Sequence, residues 1–138
     1  MVDRFLTTMA IAAGGALGSV ARYWVGIGLA RWSQAMPWGT MLINASGSFA
    51  IAFFGTLTLS SGRYPASDLA RLFFMVGICG GYTTFSSFSL QSFDLLRGGA
   101  AGRAALNMVL SVAICMLCVA AGHWAAEMLN RAQAEAVP

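Results

Sequence analysis

Lysine is absent from this chain. All eight basic residues are arginine, and with five acidic residues the charged fraction of the 138 residues is 9%. A soluble domain carries about 25% charged residues, which excludes a water-facing globule. The net charge of +3 is small and dispersed, with no basic run to hold nucleic acid. Carboxylates are missing from the whole stretch 4–67, so the apolar segments there hold no titrating acid to couple transport to protons. The one histidine, His123, has no H-E-x-x-H around it. A Walker sequence and a Ser/His/Asp set are also missing, so no catalytic constellation remains. The three cysteines, Cys79, Cys115 and Cys118, all fall in apolar runs. Cys115 and Cys118 form a C-x-x-C, but inside an apolar helix rather than at the start of a redox helix, so the thiols read as small apolar fillers.

What the chain has instead is hydrophobicity, at 58% of residues. A spanning helix takes about 20 apolar residues. The length therefore holds four spans, roughly 5–30, 39–60, 69–95 and 104–129, as one all-α integral membrane domain over 1–138. The N-terminal run has a leader-like Arg4, but it stays apolar to Leu29 without a small-residue cleavage site, and reads as a retained first span. Pro37 predicts a helix starting just after it. Gly62 and Pro65 mark a loop around Arg63, Arg97-Gly98-Gly99 a tight turn, and 130–138 a tail expected to be disordered.

The polar residues inside these spans carry the information. Gly14, Gly15 and Gly18 give span one a small face for close contact with a partner helix. Arg22 lies within the same span, where it either snorkels to an interface beside Tyr23 and Trp24 or lines an aqueous vestibule that attracts anions. Asn44, Gly47 and Ser48 share one face of span two; the amide bonds a neighbouring helix or lines a polar path. Asn107 and Ser111 share a face of span four, and His123, Trp124 and Glu127 sit near its end as interfacial residues.

Span three is the anomaly. Residues 77–90 read Gly-Ile-Cys-Gly-Gly-Tyr-Thr-Thr-Phe-Ser-Ser-Phe-Ser-Leu. Paired glycines, Gly80-Gly81, invite a helix break. Non-helical backbone at membrane depth is tolerated only where it is buried in protein or lines a polar cavity. Hydroxyls at 83, 84, 86, 87 and 89 alternate with Phe85 and Phe88, whose ring edges carry partial positive charge. Aromatic packing at i, i+3 is the plainer reading of the rings. Donors without fixed negative charge, beside a break, suit an anion.

Orientation is balanced. Arg4, Arg63, Arg71 and Arg131 fall on one side, and Arg31, Arg97, Arg103 and the distal Arg22 on the other. Equal numbers give no positive-inside signal, which suits insertion both ways and an antiparallel dimer.

Three motifs carry a resemblance. Gly14-Gly15-x-x-Gly18-x-x-x-Arg22-Tyr23 is followed by Gly39-Thr40-x-x-x-Asn44-x-x-Gly47-Ser48-Phe49. Gly80-Gly81-x-Thr83-Thr84-Phe85-Ser86-Ser87-Phe88-Ser89 comes third. In this order, and over nearly the whole chain, they resemble the Fluc fluoride channel family, also called CrcB. The resemblance implies a dual-topology antiparallel homodimer of four-span subunits with a broken third helix. It also implies two pores at the dimer interface and passive fluoride export across a bacterial inner membrane. Phe85 and Phe88 would form aromatic boxes, Asn44 would offer its amide to the anion, and Ser86, Ser87, Ser89 and Ser111 would supply a polar track. Arg22 would stand near a vestibule, and backbone carbonyls of Gly80 and Thr83 would hold a structural sodium ion. The family commonly has glutamate three residues after the second phenylalanine; here that position is Gln91, which keeps hydrogen bonding and loses charge.

The mechanism expected is electrodiffusion through individually weak contacts. HF enters as the neutral acid and ionises inside, and a negative-inside potential drives the anion out at about 2.3 kcal/mol per 100 mV. The competing expectations are a proton-coupled small transporter, which would need a titrating relay, and a non-transporting structural membrane protein, which would tolerate Phe85→Leu and Asn44→Ala.

Overall fold

A computed structural model of the chain describes residues 3–60 and 64–134. Gly62 and Arg63 of the expected loop, and 135–138 of the expected tail, lie outside the described residues. Helix α1, Arg4–Leu29, ends in a 3₁₀ turn, Ala30–Trp32, and α2 is Trp38–Leu57. A short α3, Asp68–Arg71, runs into a π-helical stretch, Leu72–Cys79, and on into α4, Gly80–Tyr82. Then come α5, Phe85–Arg97, and α6, Ala101–Ala134. Together they make four rods long and apolar enough to cross a membrane: Arg4–Trp32, Trp38–Leu57, Asp68–Arg97 and Ala101–Arg131. Their faces expose Leu17, Val20, Val109 and Leu117, apolar side chains that lipid solvates as well as a protein core would.

Local chemistry sets the helix ends. Asp3 accepts from Phe5 N (2.9 Å) and Ser67 from Ala70 N (3.3 Å), each capping a first turn. Pro37 precedes α2, whose Gly39 N–H donates to Ser33 Oγ (2.8 Å). The α5–α6 turn is closed by Ala100 N donating to Leu95 O and Gly99 N to Leu96 O, with Gly99 at φ 74°. That is a Schellman closure, and its left-handed position is the one glycine enters at no steric cost.

Packing pairs span one with span three and span two with span four. A Cβ on Gly14 would meet Phe73 O at 2.5 Å and Gly77 Cα at 3.0 Å, and one on Gly18 would strike Ile78 O. The glycine face of α1 therefore lets two backbones touch. Gly122 of α6 does the same against Phe49 O of α2. Helix α6 continues to Ala134, so 130–134 of the expected tail are helical. Asn130 Nδ2 donates to Thr56 O (3.3 Å), and Arg131 pairs with Glu127 at 3.1 Å across one turn. These bonds hold the last turns that composition alone assigns to a tail. Nearby, His123 Nδ1 meets Thr56 Oγ1 at 2.9 Å and its Nε2 lies 3.4 Å from Glu127.

Candidate functional site

The helical path of span three stops at Tyr82. Thr83 (φ −78°, ψ 159°) and Thr84 (φ −154°, ψ 109°) are extended, and helix resumes at Phe85. The glycine pair itself is helical; a Cβ on Gly81 would strike Gly15 O of α1, so Gly81 serves close approach, Gly80 has room around it, and the extended residues lie just beyond the pair. In hydrocarbon the freed backbone groups need partners, at several kcal/mol each. Asn44 supplies them across forty residues of sequence: its Oδ1 accepts from Thr84 N (2.7 Å) and its Nδ2 donates to Thr84 O (3.1 Å). One amide proton of Asn44 is left over, since the NH₂ group carries two donors. Ser19 Oγ donates to Gly81 O at 3.4 Å.

The Thr84 hydroxyl caps α5 by accepting from Ser87 N (3.2 Å), and it also meets Ser86 Oγ at 3.2 Å and Ser87 Oγ at 3.0 Å. Thr84 is buried, and all the hydrogen bonds of its side chain go to the first turn of α5. Its role follows from local pattern: a threonine before a helical run, with a polar residue three positions on, is an N-cap signature.

Around the interruption lies a cavity of about 370 Å³. It gathers Asn44, Gly80, Thr83, Phe85, Phe88 and Ser111 of the expected residues, together with Thr84 and the sulfur-bearing Met75, Cys79, Cys115 and Met116. The rings of Phe85 and Phe88 lie 5.3 Å apart at 47°, and Phe85 is 76% exposed on the single chain. Among the described residues no charged side chain lines this cavity.

The other expected residues face elsewhere. Arg22 is half-buried and lines a second cavity of about 380 Å³ with Tyr23, Thr40, Ser87 and Gln91. Thr84 is the wall common to both cavities. Ser86 and Ser89 are exposed and line neither; Ser89 Oγ donates to Phe85 O (3.0 Å). The helix turn carries Ser86 and Ser87 off the face of Phe85 and Phe88, whereas Ser89, one turn after Phe85, spends its hydroxyl on the Phe85 carbonyl. Gln91 Oε1 is buried and has no hydrogen-bond donor among the described residues.

Ser111 belongs to a buried relay. Its hydroxyl donates to Asn107 Oδ1 (3.3 Å), Asn107 Nδ2 donates to Ser92 Oγ (2.9 Å), and Ser92 Oγ donates to Phe88 O (2.8 Å). Asn107 is 1% exposed. The relay ties α6 to the helix that carries both phenylalanines. Ser92 was not singled out in sequence, although a serine in an apolar run opposite an asparagine is the available signal.

Comparison with known proteins fits this arrangement. The family model "CrcB-like protein, Camphor Resistance (CrcB)" matches residues 9–123. A protein of Gluconobacter oxydans called fluoride-specific ion channel FluC is 56% identical over 127 residues, covering 91% of this chain and 88% of that one. Proteins of the same name from Methylobacterium radiotolerans and Rhodospirillum rubrum are 55% and 51% identical over 126 residues, with 91% of this chain covered each time and 88% and 98% of theirs. The family is one of ion channels rather than enzymes, and with four apolar helical rods this chain is a multi-pass protein of the bacterial inner membrane. With a match over most of its length and relatives above half identity, this chain belongs to the CrcB family.

Proposed function

We propose that the protein is a passive, fluoride-selective channel that releases fluoride from the cytoplasm, working as an antiparallel homodimer with two pores at the subunit interface. The observation that carries this reading is the extended Thr83–Thr84 segment, held by Asn44 inside an uncharged cavity with Phe85, Phe88 and Ser111. The remaining Asn44 proton, the hydroxyls and the ring edges are weak donors to an anion, so the ion enters and leaves. A small hard anion gains most from such close donors, and selection over chloride rests on width and donor spacing. Arg22 raises local anion concentration in the neighbouring cavity, which the Thr84 wall separates from the rings. The exposed Phe85 is completed by the partner subunit.

The fit to a sodium ion is favourable. Thr84 N–H, which an unbroken helix would give to Gly80 O, goes to Asn44, and among the described residues Thr83 O accepts no hydrogen bond. The carbonyls of Gly80 and Thr83 would hold the ion, which when bound neutralises their dipoles and biases the cavity toward anions. Among the described residues no acid lines the ring cavity or the Arg22 cavity; Asp94 lines an adjoining cavity of about 540 Å³ that shares Gln91 with the latter.

Efflux from liposomes tests the reading. Fluoride release is followed with an electrode while potassium and valinomycin set the voltage, and a matched chloride experiment runs beside it. Rapid voltage-driven fluoride release with little chloride release is expected. Concentrative, proton-dependent flux would replace the channel by a coupled exporter, and no release from intact dimers would favour a structural role.

A further inference from the structure

The relay behind Phe88 runs in one direction only. Phe88 O can only accept, so Ser92 spends its single proton there (2.8 Å). Ser92 Oγ must then accept from the amide nitrogen of Asn107 (2.9 Å), which turns Asn107 Oδ1 toward Ser111. Reversing the amide would set two acceptors, Oδ1 and Ser92 Oγ, against each other. Ser111 Oγ donates to Oδ1 at 3.3 Å, the longest link of the three. Ser111 lines the ring cavity, whereas Asn107 and Ser92 are buried behind its wall, outside the lining. The one hydroxyl that span four brings to this cavity thus has its proton on a buried oxygen, held by a long bond.

We infer that Asn107 is a positioning residue whose Oδ1 competes with the anion for the Ser111 proton. The inference rests on the channel reading above, which puts fluoride beside Ser111. Without an ion the proton lies on Asn107. An arriving anion turns the hydroxyl about its Cβ–Oγ bond and takes that proton, which leaves Oδ1 buried without a donor. The cost of that unpaired oxygen is set against the new bond, so the ion is held more weakly than a free serine would hold it. Asn107 acts from outside the path and touches no ion. Its effect is to let fluoride leave, which a conducting site needs as much as entry.

The test is fluoride efflux from liposomes holding the full-length protein, at one imposed voltage and over a range of fluoride concentrations. Asn107→Leu keeps the branched shape and removes the acceptor, which frees the Ser111 proton. The half-saturating fluoride concentration should fall about 3- to 10-fold, with a lower maximal flux. Asn107→Val has less bulk, should shift the same way, and guards against misfolding of the leucine variant. Ser111→Ala should raise the half-saturating concentration. The double variant Asn107→Leu with Ser111→Ala separates competition from packing: it should match Ser111→Ala alone, because Asn107 acts only through that proton. A half-saturating concentration that rises or stays put in the Asn107 variants overturns the inference, as does a fall that persists in the double variant. A lower maximal flux with unchanged half-saturation would make Asn107 a packing residue. No fluoride flux from the unaltered protein would bring down the channel reading, and this inference with it.

Discussion

At the scale of single residues, Asn44 is the pivot. It pairs both backbone groups of Thr84, one bond in each direction, so its amide positions the interruption before it meets any ion. Truncation leaves a buried N–H and C=O unpaired, each costing about 1–3 kcal/mol. Asn44→Ala is therefore expected to lower the thermal midpoint in detergent as well as the fluoride flux; flux loss with unchanged stability would make the amide a pure ion contact. Gln91 presents the opposite case. Its Oε1 is buried and meets no protein donor among the described residues. Gln91→Met should raise stability by about 1 kcal/mol while lowering flux, the signature of a side chain kept for transport. A gain in both would mean that the amide has no part in conduction.

At the scale of elements, glycine backbones set the spacing. Gly81 and Gly18 admit no Cβ against Gly15 and Ile78, whereas Gly26 has open space around it. Gly18→Val should abolish the folded state, or cost it at least about 3 kcal/mol, with Gly26→Ala near neutral; thermal aggregation in detergent reads both. The face of Gly14 and Gly18 was legible because two short-range facts, small residues and fourfold spacing, point to one side of a helix. The four spans were legible for a similar reason, since hydropathy summed over a long window averages out local noise. The π-helical stretch Leu72–Cys79 was not, because its composition is that of any apolar helix and its geometry arises against α1. Nor was the Asn44–Thr84 pairing, which joins residues forty apart. The hydroxyl run at 83–89 read as one stripe only while its helix turn was ignored: in three dimensions Thr84 caps, Ser87 and Ser111 face different cavities, and Ser86 and Ser89 line neither.

At the scale of the whole molecule, the broad apolar exterior and the balanced arginines fit the antiparallel dimer proposed above. A tag at either terminus should be reachable from both sides of the membrane in a cell population, and protection on one side in every molecule would sink the antiparallel dimer. Phe88→Ile should cut fluoride flux several-fold, about 1 kcal/mol of barrier, while leaving the dimer intact on size exclusion; a monomer would show that the ring holds subunits together. The direction of the chain also bears on how the protein is made. The groups within the subunit that close the opened backbone, Ser19 and Asn44, both precede it in sequence. A ribosome delivering span three into lipid therefore presents the Gly81 carbonyl and both backbone groups of Thr84 to partners already installed, before span four is synthesised.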